Sequence, residues 1–315
     1  MCAVTDNGRE ALPDHTGVMR VIVAPGQGSQ KPGFLSPWLQ RRGAEDTLSH
    51  WSDITGVDLI THGTTSDADT IRDTKVAQPL IVAAGILTGR ALQEKLVGEP
   101  LRYAGHSVGE FAASALAGVF SDDDAMRLVA ARGRAMAEAA AQVATGMSAV
   151  LGLDYDSLAP QLDARGLVPA NVNGGGQIVA AGELSALAEL KDNPPEGARV
   201  IPLDVAGAFH THFMSSAVDA LKEVAQSMTA HGPSAPLYTN RDGSLVSSGT
   251  QMVELLIGQV ASPVRWDLCM ESFARDGVTS LVELAPAGAL VGLAKRALKE
   301  VSAAKLDLPE QLDEL

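Results

Sequence analysis

Five residues, Gly105-His106-Ser107-Val108-Gly109, set a serine between two glycines where a short run from Leu101 to Ala104 gives way to an alanine-rich stretch. This is the G-x-S-x-G pattern of a nucleophile elbow. Glycines on both sides let strand and helix approach closely, while the serine takes a strained backbone that exposes its hydroxyl. In a chain with 31 glycines such a match can arise by chance, so its meaning depends on the residues around it. At the head of the following helix, the amide of Val108 points where negative charge grows on a tetrahedral intermediate. A second oxyanion donor is expected from Gln27 in the turn Gly26-Gln27-Gly28-Ser29-Gln30, which can reach across if the strands before the two turns are neighbours. The alternative, a glycine-rich phosphate loop, lacks the Lys-Ser/Thr of a P-loop and the third glycine of a dinucleotide fingerprint.

A serine nucleophile requires a base, and the chain has seven histidines. His210 falls in a loop between an expected strand and an expected helix, a position that presents catalytic side chains. With His212 it forms an H-x-H pair, but no further ligand cluster accompanies it, so no metal is expected. His106 is expected to point to the opposite side of the turn in a structural role. His15, His50, His62 and His231 lie in polar segments and are expected to be solvated.

Arg132 interrupts an apolar stripe. On the helix that follows Ser121, Ala125, Leu128, Val129, Arg132 and Met136 share the core-facing side, while Arg127, Arg134 and Glu138 share the other, where Arg134 and Glu138 can pair. A guanidinium on the apolar side is either a structural salt bridge or a fork held ready for a substrate carboxylate, which it matches bidentately.

These residues need a scaffold. With 315 residues, 46% of them hydrophobic and 4% aromatic, the chain can build a large aliphatic core of the α/β kind. Residues 20 to 25 read as a buried strand, 76 to 96 as a helix, and Ser121 with three following acids starts a helix running from Asp122 towards Val143. The pattern then becomes β-α-β-β-α-β, a ferredoxin-like order complete in about sixty residues. Further on come a helix from Met214, a strand at 235 to 240, a helix at 251 to 257, a strand at 280 to 284 and a final helix before an acidic tail. The reading is a discontinuous α/β domain with a parallel sheet, residues 18–143 and 206–315, interrupted by a ferredoxin-like subdomain at 144–205, after a disordered extension at 1–17.

A formal charge of −14 argues against nonspecific binding to nucleic acid or anionic membrane. The longest strongly apolar stretch, 79 to 87, is too short for a membrane span, which needs ~20 residues. Two cysteines, Cys2 and Cys269, make no disulfide framework, and a reducing cytoplasm is expected.

Taken together, "PGQGSQ" (25 to 30), "GHSVGE" (105 to 110), "RG" (132 to 133), "NVNGGGQIVAAG" (171 to 182), "GAFH" (207 to 210) and "SPVRW" (262 to 266) resemble the malonyl-CoA:acyl-carrier-protein transacylases and the acyltransferase domains of fatty-acid and polyketide synthases. The resemblance runs from about Val21 to Leu298. It implies a hydrolase-like α/β domain with an inserted ferredoxin-like subdomain and a site in the cleft between them. It also implies Ser107 as the acylated residue, His210 as base, Arg132 as the anchor of the malonyl carboxylate, and Gln27 and Val108 as the oxyanion hole. The histidine is oriented through backbone carbonyls with a contribution from Gln259, in place of an acid. Asp204 is the nearby acid otherwise available. Phe209, before the histidine, favours malonyl over methylmalonyl. Gly207 stands where a histidine is often found.

The expected reaction is a ping-pong transfer from malonyl-CoA to the phosphopantetheine thiol of an acyl carrier protein, with no metal or cofactor. Rival readings are a serine esterase or thioesterase, an acyltransferase for another acyl-CoA such as methylmalonyl-CoA, and a silent carrier-binding module. Arg90, Lys95, Arg102 and Arg265 are candidates for a carrier-docking patch.

Overall fold

In the computed structural model, residues 18–315 are described; the extension at 1–17, with Cys2 and His15, lies outside them. The first strand, β1 (Arg20–Ala24), is buried along its whole length. Its side chains alternate between two cores: Ile22 and Ala24 belong to one apolar cluster, Val21 and Val23 to another. A strand covered on both faces reads as a continuous apolar run, and here that run is Val-Ile-Val-Ala.

Helices α1 (Ala44–Thr55) and α2 (Leu59–Thr64) follow, then α3 (Thr74–Lys95), whose first turn is capped by Asp73. Sequence periodicity predicts α3 within two residues of its ends; α1 and α2 are not anticipated by it. The strand β2 (Leu101–Gly105) lies parallel to β1, with Ala24 beside Gly105, so the turns carrying Gln27 and Ser107 emerge side by side at the same sheet edge. After the elbow come α4 (Gly109–Leu116) and α5 (Asp122–Ala140), the latter capped by the Ser121 hydroxyl as expected and ending three residues short of Val143. Ala125, Leu128, Val129, Arg132 and Met136 are all buried. On the other side, Arg134 donates to the Thr55 carbonyl (3.2 Å) and does not pair with Glu138, while Arg127 pairs with Asp124 at i−3.

The insertion runs β3 (Thr145–Leu151), α6 (Tyr155–Asp163), β4 (Val168–Gly174), β5 (Gln177–Glu183), α7 (Leu184–Asp192) and β6 (Arg199–Leu203). The expected β-α-β-β-α-β order is present, and the strands pair antiparallel in the spatial order β6-β3-β5-β4. Val150, Val172, Ile178 and Ala180 pack with Leu158, Leu162, Leu187 and Leu190 into a core of their own. The alternate residues, Met147, Ala149, Asn171, Asn173, Gln177 and Val179, face a cleft against the first sheet.

The chain returns through α8 (Ser216–Ala225) and α9 (Gly249–Gly258) to β7 (Val264–Arg265). This two-residue strand pairs parallel with β4, so the second sheet borrows its fifth strand from outside residues 144–205. Then come α10 (Trp266–Arg275), β8 (Ser280–Leu284), α11 (Ala289–Ala297) and β9 (Ser302–Leu306). The parallel sheet has the order β2-β1-β8-β9.

Two expectations about strands need correction. Residues 235 to 240 form only isolated bridges, at Leu237 and Tyr238. Pro236 has no N–H for a ladder, and the Asn240 N–H is drawn to the Glu110 carboxylate instead. Conversely, β9 closes the sheet where only a tail is expected, because its sequence, Ser-Ala-Ala-Lys-Leu, shows little of the β-branched run that marks a central strand. Among the described residues no helix is long and apolar enough to cross a membrane.

Candidate active site

The elbow is built by close approach. A Cβ on Gly105 would lie 2.1 Å from the Gly109 carbonyl carbon, and one on Gly109 would lie 2.2 Å from the Ala24 carbonyl oxygen. Neither contact is tolerable, so both glycines are dictated by the fit of β2, the turn and α4 against β1. Between them Ser107 has φ 52°, and His210 has φ 61°; among the described residues these are the two non-glycine positions with positive φ. Such a conformation costs about 1–3 kcal/mol and persists only where the surroundings over-determine it. For Ser107 the restraint is Asn240, whose Oδ1 accepts from the Ser107 N–H (2.7 Å) and whose Nδ2 donates to the Gly105 carbonyl (2.7 Å). For His210 it is the chain near Gln259: the His210 N–H donates to the Val260 carbonyl.

The side chains of these two residues meet, with Ser107 Oγ 2.7 Å from His210 Nε2. On its other edge, His210 Nδ1 lies 2.8 Å from the Gln259 carbonyl oxygen. A carbonyl can only accept, so Nδ1 carries the proton and Nε2 presents its lone pair to the serine hydroxyl. Burial, and then the nearby charge of Arg132, push the His210 pKa down to about 3, which keeps the imidazole neutral and able to take a proton. Asp204, the acid nearest in sequence, is exposed and pairs with Arg72 at 2.7 Å. The main chain of Gln259 stands where an acid would stand in a triad.

Gln27 and Ser107 line the same cleft, about 450 Å³ in volume, together with His106, Phe209 and His210. The Gln27 side chain is turned towards Thr74 and Gln78, both at 3.4 Å. Neither the main-chain N–H of Gln27 nor that of Val108 has a protein acceptor among the described residues, and unpaired amides on these two neighbouring turns are of the kind that can serve an oxyanion. His106 does not turn away from the site. Its Nε2 lies 2.8 Å from Asn173 Oδ1 across the cleft, its ring meets Trp266 edge-on, and it forms part of the cleft wall. Gly207 packs against Ala140, where a Cβ would come within 2.8 Å of the Ala140 methyl, so this chain has no room for a side chain there.

Arg132 is 1% exposed and sits behind Ser107, off the cleft wall. It donates to Gln78 Oε1 (2.8 Å) and Gln259 Oε1 (3.0 Å), and its Nη2 lies 3.4 Å from Ser107 Oγ. No carboxylate comes within ion-pair distance of it among the described residues, and its Nε has no partner. Burial lowers its pKa, and the charge of Glu110 works against that shift. Burying an unpaired cation costs several kcal/mol, of order, even after relaxation. A buried guanidinium with an unpartnered Nε beside Ser107 is an arrangement that can receive an anion.

Comparison with known proteins identifies the family. A family model described as "Acyl transferase domain" matches residues 21–308. The chain belongs to the acyl transferase family. A relative from Mycobacterium tuberculosis, named malonyl CoA-acyl carrier protein transacylase, is 50% identical over 299 residues, covering 94% of this acyltransferase and 99% of the relative. The crystal structure of MCAT from M. tuberculosis superposes with a TM-score of 0.91 at 49% identity, over 94% of this chain and 99% of that one. A further structure, described as a type II PKS acyl-carrier protein in complex with its malonyl-transacylase, superposes with a TM-score of 0.88 at 33% identity, over 94% and 98%. The mixed α/β architecture with a parallel sheet and a second, mixed sheet is the fold of these proteins.

Three residues of the acyltransferase site are not identified from sequence spacing. Asn240 and Gln78 look like ordinary polar residues at the end of an expected strand and in a helix, and Glu110 looks like an acid in the first turn of α4. Their roles arise from contacts made 54 to 149 positions away along the chain. Only a polar residue within an otherwise apolar helical run, as Gln78 is between Ala77 and Leu80, offers a local signal.

Proposed function

We propose that this enzyme transfers the malonyl group of malonyl-CoA to the phosphopantetheine thiol of an acyl carrier protein, by a ping-pong route through a malonyl-Ser107 ester. The observation that carries the reading is Arg132: a buried guanidinium, without an ion-pair partner among the described residues, 3.4 Å from the nucleophile oxygen. A simple esterase or thioesterase has no use for a cation there, whereas a carboxylated acyl group does. His210 takes the Ser107 proton as the hydroxyl attacks the thioester carbonyl, and the Gln27 and Val108 amides hold the oxyanion. Coenzyme A leaves with that proton. The carrier thiol then attacks the ester, His210 again accepting and returning a proton. The exchange runs thioester to oxygen ester to thioester, steps of similar free energy, and calls for no metal or cofactor.

Phe209, 6% exposed on the cleft wall, supports malonyl over the bulkier methylmalonyl. The names of the relatives support both the malonyl donor and the carrier acceptor. As for docking, Arg90, Lys95, Arg102 and Arg265 contact Asp122, Asp313, the Tyr238 hydroxyl and Asp267 within the chain; surface contacts of this kind are worth about 0–1 kcal/mol and leave the four as the candidates for a carrier-docking patch. A cytoplasmic location fits the reducing environment that the buried free thiol of Cys269 tolerates.

The test is direct. Radiolabelled malonyl-CoA, quenched in acid, should leave label on Ser107 that chases to a carrier protein. Release of free malonate with no trapped ester would instead identify a thioesterase.

A further inference from the structure

One buried carboxylate plays no part in the chemistry above. Glu110 is 1% exposed, yet it makes no ion pair within contact distance among the described residues. Its Oε1 accepts from the Asn240 N–H (2.7 Å), and its Oε2 accepts from the side-chain Nε2 of Gln259. The same Gln259 amide turns its Oε1 to Arg132, from which it accepts at 3.0 Å. A line of donors thus runs from the guanidinium through one amide to the carboxylate. Glu110 borders a separate cavity of about 110 Å³, and both of its oxygens are taken by protein donors, so its part is played through Gln259.

From this arrangement we infer that Glu110 is a positioning residue for substrate selection: by fixing which way the Gln259 amide faces, it holds Arg132 in place for a carboxylated acyl group. The inference rests on the reading of Arg132 as the carboxylate anchor. Its logic is one of polarity. Both carboxyl oxygens of Glu110 accept, one from the Asn240 N–H and one from Gln259 Nε2, so Gln259 presents its NH2 group to Glu110 and its oxygen to Arg132; burial raises the Glu110 pKa to about 8, and the Asn240 N–H and the charge of Arg132 oppose that shift. The Asn240 N–H cannot turn round, so in Glu110→Gln the new side chain must keep its oxygen towards Asn240 and show its NH2 to Gln259. Gln259 then has to flip, and its own NH2 meets the guanidinium, donor against donor. The Gln259 main-chain carbonyl, which holds His210, is not disturbed by that flip.

The experiment compares two reagents on Ser107: malonyl-CoA, and phenylmethylsulfonyl fluoride, which has no carboxylate. In E110Q, kcat/KM for malonyl loading should fall about tenfold or more, chiefly through KM, while the rate of sulfonylation stays within about threefold of wild type. In an Arg132→Ala background E110Q should change malonyl loading less than about twofold, because two residues acting through one contact are not additive. Gln259→Met severs the link at its middle, and the ratio of malonyl to acetyl loading within that variant should fall whatever its absolute rate; it serves if E110Q does not fold. Equal losses with both reagents would mean that Glu110 merely supports the elbow, and wild-type malonyl loading in both variants would mean that the link is unused; either result overturns the inference. A wild-type protein that loads acetyl as readily as malonyl refutes the Arg132 reading, and the inference with it. A wild type that prefers malonyl, beside an E110Q that prefers it equally, refutes the inference alone.

Discussion

The two sheets of this acyltransferase handle their faces differently. The central strand β1 of the parallel sheet is buried on both sides, Val21 and Val23 in one core and Ile22 and Ala24 in the other, and with β2 it delivers Gln27 and Ser107 side by side. The smaller sheet is antiparallel but for its borrowed strand. It buries one face on α6 and α7 and gives the other, with Met147, Ala149, Asn173 and Val179, to the cleft. Ser107 thus comes from the parallel sheet, whereas His210 lies on the segment that leaves β6 of the smaller sheet, and the two strained residues meet between them. The half-open sheet supplies a wall.

The largest effect should come from breaking the first of these. Ser107→Ala should lower malonyl transfer by about 10⁴-fold or more, measured by label transfer to a carrier protein, with the melting temperature little changed, since alanine carries the same backbone strain as serine at φ 52°. Next, Arg132→Ala should cost malonyl loading about 2–5 kcal/mol in kcat/KM, as expected on truncating one member of a buried charge pair. It should reduce discrimination against acetyl-CoA; full retention of that discrimination would show that Arg132 is not the anchor. The wall should behave otherwise. Leu158→Ala, in the core of the smaller sheet, should cost about 2–5 kcal/mol of stability by denaturant titration, while the folded enzyme reacts with phenylmethylsulfonyl fluoride at the wild-type rate. A slowed reaction there would mean that the wall shares in shaping the nucleophile.

The smallest effect concerns pH. With its folded-state pKa depressed to about 3, His210 stays neutral as pH falls through the range where a free histidine charges, near 6.5. Ser107 acylation should therefore lose less than about twofold between pH 7 and pH 5.5, measured by stopped-flow loading. A fall centred near 6.5 would place the base in a wetter setting than the structure gives it.

How much of this was legible in the sequence varies with distance along the chain. Gly105 and Gly109 announce the elbow because their partners are each other, α4 and a strand end, and Ser121 announces α5 because a cap is local. Arg132 is visible as a breach of an apolar stripe. What it binds is not, because Gln78 and Gln259 come from segments on either side in the chain and are brought together only by packing. The pairing expected between Arg134 and Glu138 fails for the same reason: the Thr55 carbonyl at the end of α1 competes for the arginine, and α1 itself escapes the sequence reading. Asp204 illustrates the opposite error, since closeness in sequence to His210 gives it no contact with the imidazole, and it pairs with Arg72 at the surface.

The strand that the smaller sheet borrows, Val264–Arg265, begins shortly after Gln259, the residue that holds His210 through its carbonyl and Arg132 through its amide. The outer strand of the wall and the carbonyl that holds the imidazole are thus carried by one short stretch of chain, so the pairing of β7 with β4 also fixes where Gln259 stands between His210 and Arg132.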